Sequence, residues 1–289
     1  MTKARMRGSG DNTTRTSSVF HAFPGFQRRV TLFLLGHLMN VKRILPVTAM
    51  LLLAIGSART TGPSTEARVP VVVELFTSEG CSSCPPADAL LMALDLRQPV
   101  AGAEIIALGE HVDYWNDLGW KDRFSSAQSS QRQSRYAARF RLDSAYTTQM
   151  VINGRTEFVG NDSAHAAKAI AEAARSLAAP PAIAIAATAN DVEVTVTSAS
   201  PHPRDVFLAI TESDLSTQVG KGENHGRLLR HTAVVRQMRK IGATSAGRFS
   251  ARSEFKLNPE WRRDHLRAVI FLQDPSTLEI SGAAQAAFK

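Results

Sequence analysis

The sequence predicts an α/β domain, with a central mixed sheet and flanking helices, followed by an all-β domain. Three observations predict it. An apolar, β-branched run at 71–76 breaks at Gly80 and passes straight into Cys81-Ser-Ser-Cys84-Pro-Pro. Strand-like and helix-like patterns then alternate as far as Pro180-Pro181. From Ala182 onward the long helical patterns stop, and short strands recur between Asn-Asp, Pro-x-Pro and Asp-Pro turns. The chain accordingly divides into a leader (1–58), a polar linker (59–68), an α/β domain (69–179) and a β domain (181–289).

In order, the run at 71–76 reads as a buried strand. Pro85 and Pro86 suit the first turn of a helix, where a missing N–H is no loss, and Leu90, Leu91 and Leu94 continue it to about residue 96. A second short strand at 104–109 makes this a βαβ crossover and a parallel pair. The segment 110–124 is dense in aromatic and titratable residues. Residues 125–140 fit a surface-covering helix, and 148–160 a hairpin turning on Asn153-Gly154. Asp162 or Ser163 caps a last Ala-rich helix that runs to about residue 178. Beyond it, 183–187, 192–196, 206–210 and 268–272 read as strands of an immunoglobulin-like sandwich. The polar loop 221–227 reads as an anion site, a surface packed on the first domain, or a plain hairpin connection. An amphipathic segment at 228–238 follows it.

The chemistry centres on Cys81 and Cys84, the chain's two cysteines. A helix N-terminus favours negative charge, and so favours a thiolate over a thiol. Cys81 then reads as the solvent-accessible nucleophile and Cys84 as the resolving thiol. A static bridge, half of a zinc site, or two unrelated thiols compete with this reading. Zinc normally needs four ligands and no second Cys pair exists, while a bridge between residues three apart closes too small a loop to stabilise much. His111, Asp113, Tyr114 and Trp115 follow the carboxyl end of the second strand. Ligands bind at that rim in open α/β sheets, so these four read either as a wall of the dithiol site or as a packed surface loop.

The formal charge of +8 is misplaced for nucleic-acid binding. Residues 1–58 hold eight basic residues and one acidic, whereas the remainder holds 26 Lys plus Arg against 25 Asp plus Glu. Within the leader, Lys42-Arg43 precedes an apolar core at 44–55 and the small residues Gly56-Ser57-Ala58. The pattern predicts a signal peptide at about 39–58, hence a periplasmic or secreted protein. The alternative is an uncleaved anchor, which would be the chain's one membrane contact. Two cysteines placed for a single local bridge suit an oxidising compartment.

The order βαβ, then ββα, with the CxxC after the first strand is the thioredoxin arrangement. The phrases from Glu74 to Asp88, from His111 to Trp115 with Leu118-Gly-Trp-Lys-Asp122, and from Tyr146 to Gly154 resemble an uncharacterised family of secreted bacterial thioredoxin-like proteins, domain of unknown function DUF1223. The resemblance spans about residues 70–285. It implies a thioredoxin-like domain and Glu74 near the place of a buried acid behind the second cysteine, a candidate proton relay to Cys84. It also leads one to expect proline where Thr148 stands. A cis bond before a non-proline residue costs about 3 kcal/mol, so the Thr147–Thr148 peptide is expected to be trans, with Thr148 at the substrate-docking position.

The expected activity is thiol–disulfide exchange on exported protein thiols or disulfides, with electrons passing to or from an external dithiol partner. No organic cofactor is implied, since no phosphate-cradling glycine loop is present. Two alternatives stay open: Cu(I) handling by the two cysteines helped by Met150 or His111, and a non-catalytic binding module with a structural disulfide.

Overall fold

Strands from both halves of the sequence meet in one sheet. The computed structural model describes residues 68–177, 179–188 and 190–288, so the leader, the signal segment and nearly all of the linker lie outside the described residues. The first half supplies β1 (Val69–Thr77), α1 (Pro85–Arg97), β2 (Ala103–His111), α2 (Ala127–Phe140), β3 (Gln149–Ile152), β4 (Thr156–Val159) and α3 (Ser163–Ser176). The second half supplies β5 (Ala182–Ala187), β6 (Asp191–Thr197), β7 (Asp205–Glu212), β8 (Leu215–Gln218), β9 (Leu228–His231), β10 (Val234–Ala243), β11 (Arg248–Glu254), β12 (Leu266–Gln273) and β13 (Ile280–Ala287).

Eight strands run in the order β13-β12-β7-β10-β2-β1-β3-β4. β1 and β2 are parallel over nine residue pairs, and β10 joins the far edge of β2, also parallel, at Val234 opposite Gly109. The described residues all fall in one compact unit. The boundary expected at residue 180 is therefore not a seam between two sheets, because β10 hydrogen-bonds directly to β2. The second half does carry facing sheets. β5, β6 and β11 form a three-stranded sheet, and its Val192, Val194 and Val196 pack with Val206, Leu208, Ala268 and Ile270 of β7 and β12. One of those two facing sheets is the continuation of the first half's sheet.

Alternation along β1 divides the molecule. Val71, Val73 and Leu75 pack with Ala87, Leu91 and Leu94 of α1 and Ala166, Ala169 and Ile170 of α3. On the opposite face, Phe76 packs with Tyr136 of α2, and Val72 with Ile106 and Leu108 of β2. Pro70 is tolerated because β3 begins to pair with β1 only at Val73. Helix α2 is capped by the Ser126 side chain, which accepts from the Ser129 amide, and α3 by Asp162, which accepts from the His165 amide.

The β3–β4 hairpin turns on Asn153 and Gly154 as expected, both at positive φ, but Ile152 pairs with Thr156, so the loop holds three residues. The turn is anchored from outside. Asn153 exchanges hydrogen bonds with Val72 and accepts from the Ile280 amide. A Cβ on Gly154 would sit 2.0 Å from the Leu278 carbonyl oxygen, so no side chain fits there.

A candidate dithiol site beneath a loop

Cys81 and Cys84 are disulfide-bonded with their Cα atoms 5.4 Å apart. Cys84 is the N-cap of α1, its carbonyl accepting from the Ala87 and Asp88 amides, and Pro85 and Pro86 open the helix as the sequence predicts. The pair thus lies at the carboxyl end of β1, on the rim where β2 delivers His111.

Accessibility departs from expectation. Cys81 is 1% exposed and Cys84 fully buried. Neither belongs to the apolar clusters described above, and Ser82 and Ser83 between them are exposed. Other parts of the chain cover the pair. The loop that joins β8 to β9 crosses the β1–α1 loop, and Asn224, wholly buried, donates to the carbonyls of Glu79 and Cys81, both at 2.9 Å. Glu223 accepts from the Ser82 amide at 3.0 Å. From the other side, Thr147 directs its hydroxyl at Cys81 Sγ, 3.5 Å away, and receives the Trp115 indole N–H at 2.9 Å. Trp115 also closes on Gly80, where a Cβ would meet its own Cβ at 3.3 Å.

The Thr147–Thr148 peptide is cis, not trans as expected. The buried Thr148 is clamped there, its carbonyl and its hydroxyl both accepting from the Gly160 amide at 3.0 and 3.1 Å. Of the segment at 111–115, the structure brings Trp115 to the disulfide but spreads the others. Asp113 accepts from Ser130 Oγ of α2 at 2.5 Å. Tyr114 donates to Gln133 of α2 at 3.0 Å, and burial holds its phenol above the usual range despite that bond.

Glu74 is no relay to Cys84. Alternation sends it to the face opposite α1, where it binds Arg132 Nε and the Tyr136 hydroxyl, each at 2.5 Å. Glu110 lies 3.2 Å from the same Arg132 nitrogen, and Gln273 of β12 completes the network by accepting from Arg132 and donating to Tyr136. Burial, with the neighbouring Glu74 charge, holds the Glu110 carboxyl well above its ordinary range although Arg132 opposes the shift.

On the α1 face a second buried polar cluster underlies the β1–α1 loop. His111 Nδ1 is 2.6 Å from Asp122 Oδ2, and that oxygen also accepts from the Glu79 amide at 2.9 Å. Burial alone would lower the His111 pKa, but the Asp122 carboxylate outweighs it and raises the value. Burial likewise pushes Asp122 up, and His111 with two backbone amides brings it below the usual range. Glu79 accepts from the Trp120 indole at 2.9 Å, and its Oε1 stands 3.3 Å from His231 Nε2. The His231 ring lies edge-on to that of His111, centroids 4.8 Å apart. Asp88, one turn along α1 from Cys84, is within electrostatic reach of both rings, and burial raises its pKa against their pull.

Sequence reasoning missed Asp88, Asp122, His231 and Asn224. Asp88 carried one local signal, a carboxylate between Ala87 and Ala89 in the apolar first half of the helix. Asn224 and His231 sit at least 140 residues from either cysteine, and nothing local ties them to the site. Among the described residues, no group of three or more His, Cys, Asp or Glu side chains is placed to hold a metal ion.

A family model described as "Protein of unknown function (DUF1223)" matches residues 72–273. Among solved structures, the chain is similar to an X-ray crystal structure of a protein from Agrobacterium tumefaciens, a structural-genomics target. The identity is 25% and the TM-score 0.62, over 75% of this chain and 94% of that one. No curated protein matches the chain.

Proposed function

This chain belongs to the DUF1223 family, and we propose that it is an exported thiol–disulfide oxidoreductase acting through Cys81 and Cys84. The observation that carries the reading is the position of the bonded pair. It stands at the N-terminus of a helix, on the strand-end rim of the sheet, with the exposed Ser82 and Ser83 between the two cysteines, and in none of the apolar clusters. A bridge needed only for packing has no reason to sit there, and closing so short a loop stabilises little. The element order β1-α1-β2, then β3-β4-α3, around that pair supports a thioredoxin-like unit enlarged by the strands of the second half.

In this reading a partner thiolate attacks Cys81 Sγ, the bond to Cys84 breaks, and a mixed disulfide forms on Cys81. The helix N-terminus favours the anionic sulfur. Thr147 and Trp115 form one wall of the approach, and the 219–227 loop the other. Because Cys81 is covered, attack requires the loop to lift Asn224 and Glu223 from the backbone of Glu79, Cys81 and Ser82. The cover gives selectivity, since a partner able to displace it reaches the sulfur and bulk thiols do so slowly.

The test is equilibration of the full chain with dithiol redox buffers, trapping free thiols at each ratio, followed by mixing with a reduced or oxidised protein substrate. Exchange with the substrate and a potential above about −300 mV are expected. A potential below that value together with no exchange marks a structural bridge and refutes the proposal.

A further inference from the structure

Asp88 is the centre on which the loosely held polar atoms near the disulfide converge. Its amide donates to the Cys84 carbonyl at 3.1 Å, and at that i,i+4 spacing the two side chains share a face, with Cβ atoms about 5–6 Å apart. Cys84 is fully buried and Asp88 7% exposed. Asp88 Oδ2 faces the Thr77 hydroxyl, and Glu79 Oε1 faces His231 Nε2 at 3.3 Å, neither pair in good hydrogen-bond geometry, while His231 Nδ1 has no partner. Buried polar atoms are almost always well satisfied, so loosely held atoms from the end of β1, the loop after it, α1 and β9 are unusual.

The charged groups within electrostatic reach of Asp88 are His231 from β9, His111 from β2 and Asp122 from the loop after β2, and the Thr77 hydroxyl faces it. Glu79 adjoins His231. Outward, Asp88 lines a cavity of about 350 Å³ between α1 and β9, with Arg97, Arg227 and Arg230 also on its walls. His231 lines a neighbouring cavity of about 540 Å³. The cluster therefore reaches from the first turn of α1, beside Cys84, to open solvent between α1 and β9.

We propose that Asp88 gives and takes the proton of the Cys84 sulfur, and that His231 with Glu79 passes that proton to and from solvent. The inference rests on the exchange reading and assigns the role that the sequence suggested for Glu74. When a dithiol reduces the protein, one of its thiolates attacks Cys81 Sγ, forming a new S–S bond as the Cys81–Cys84 bond breaks. The electron pair leaves on Cys84 Sγ. A thiolate there is wholly out of water, which disfavours the charged form, and the Asp88 proton neutralises it. The dithiol's second sulfur, as thiolate, attacks the mixed disulfide and releases Cys81 as a thiolate. The dithiol is oxidised by two electrons, the cysteine pair is reduced by two, and Asp88 regains a proton through His231. In reverse, the Asp88 carboxylate deprotonates Cys84 so that it can attack.

The experiment is single-turnover reduction of the oxidised full chain by excess dithiothreitol between about pH 5 and 9, each rate divided by the reductant's thiolate fraction. The unaltered protein is expected to slow as pH rises and Asp88 loses its proton. Asp88→Asn should abolish that bend and lower the rate about 10- to 100-fold on its acid side, in the range of general acid catalysis. Asp88→Glu should restore the bend. An Asp88→Asn variant that keeps the original profile overturns the inference while leaving exchange itself intact, whereas an unaltered protein that no dithiol reduces overturns the exchange reading first. A measurement independent of variant folding is the Asp88 carboxyl titration by carbon NMR in the unaltered protein. Its midpoint should move between oxidised and reduced forms, and identical midpoints overturn the inference.

Discussion

Replacing Asn224 with alanine tests whether the loop over the disulfide limits access to it. Both amide protons of Asn224 are in use, one on the Glu79 carbonyl and one on the Cys81 carbonyl, each at 2.9 Å, and its carbonyl accepts from Arg227 at 2.8 Å. A buried hydrogen bond contributes about 0.5–1.5 kcal/mol net. The two that tie the loop to the β1–α1 segment therefore hold it closed by about 1–3 kcal/mol. If reductant reaches Cys81 Sγ only when the loop is open, the rate follows the opening equilibrium. At 1.4 kcal/mol per factor of ten, Asn224→Ala should be reduced about 5- to 150-fold faster. The assay is thiol release from the oxidised full chain under limiting dithiothreitol, with thermal unfolding followed in parallel. Lys221→Ala, an exposed change in the same loop, should leave the rate unchanged. A rate within twofold of the parent for Asn224→Ala, at unaltered thermal stability, would show that the loop is no barrier.

Other outcomes follow from the buried charges and the tight turn. Arg132→Met should destabilise the fold by about 3–5 kcal/mol in denaturant titration, because it strands Glu74 and Glu110 without their counter-ion, and a loss under 1 kcal/mol would refute the assignment. Glu110 has a raised folded pKa, so the folded state holds its proton more tightly than the unfolded chain does. Stability should fall as pH rises from the ordinary glutamate value of about 4.3 through that raised value, and Glu110→Gln should remove this part of the slope in pH-dependent urea titrations. Asp122→Asn should lower the His111 titration, followed by NMR, because Asp122 is the largest influence raising it and burial is then opposed by Asp88 and Glu79 alone. Gly154→Ala should cost more than about 1 kcal/mol in thermal unfolding, given φ of 64° and the Leu278 carbonyl in the way.

Local features of the chain were legible where one physical signal dominated. The β1–CxxC–α1 unit was marked by a β-branched run, a glycine and two prolines, and the structure reproduces it with the bridge formed. The hairpin at Asn153-Gly154 and the cap at Asp162 likewise rest on local preferences. Strand β10 was missed because two bulges, between Val235 and Gln237 and between Lys240 and Gly242, interrupt its two-residue period. Strand β13 is mostly alanine, which carries little strand preference. The relay role that the resemblance implies for Glu74 fails because alternation along β1 puts Glu74 opposite Val71 and Val73, and α1 with Cys84 covers the face of those two valines. The burial of Cys81 was illegible for a different reason. Its cover comes from Glu223 and Asn224 of the 221–227 loop, for which packing on the first half is one of three readings, and no local pattern selects that reading or the segment it covers.

The pairing of β10 with β2 bears on how such a chain can be recombined. A splice at residue 180 looks inviting in the sequence, since two prolines stand there between apparently different modules. Such a cut would bare the outer backbone of β2 near Gly109, an open template for pairing with another molecule, and would strip Asn224 from the sulfurs together. Drift at positions 79–82 and 222–227 is therefore expected to be correlated across homologues, and a graft of either half onto a foreign partner should precipitate unless both segments travel with it.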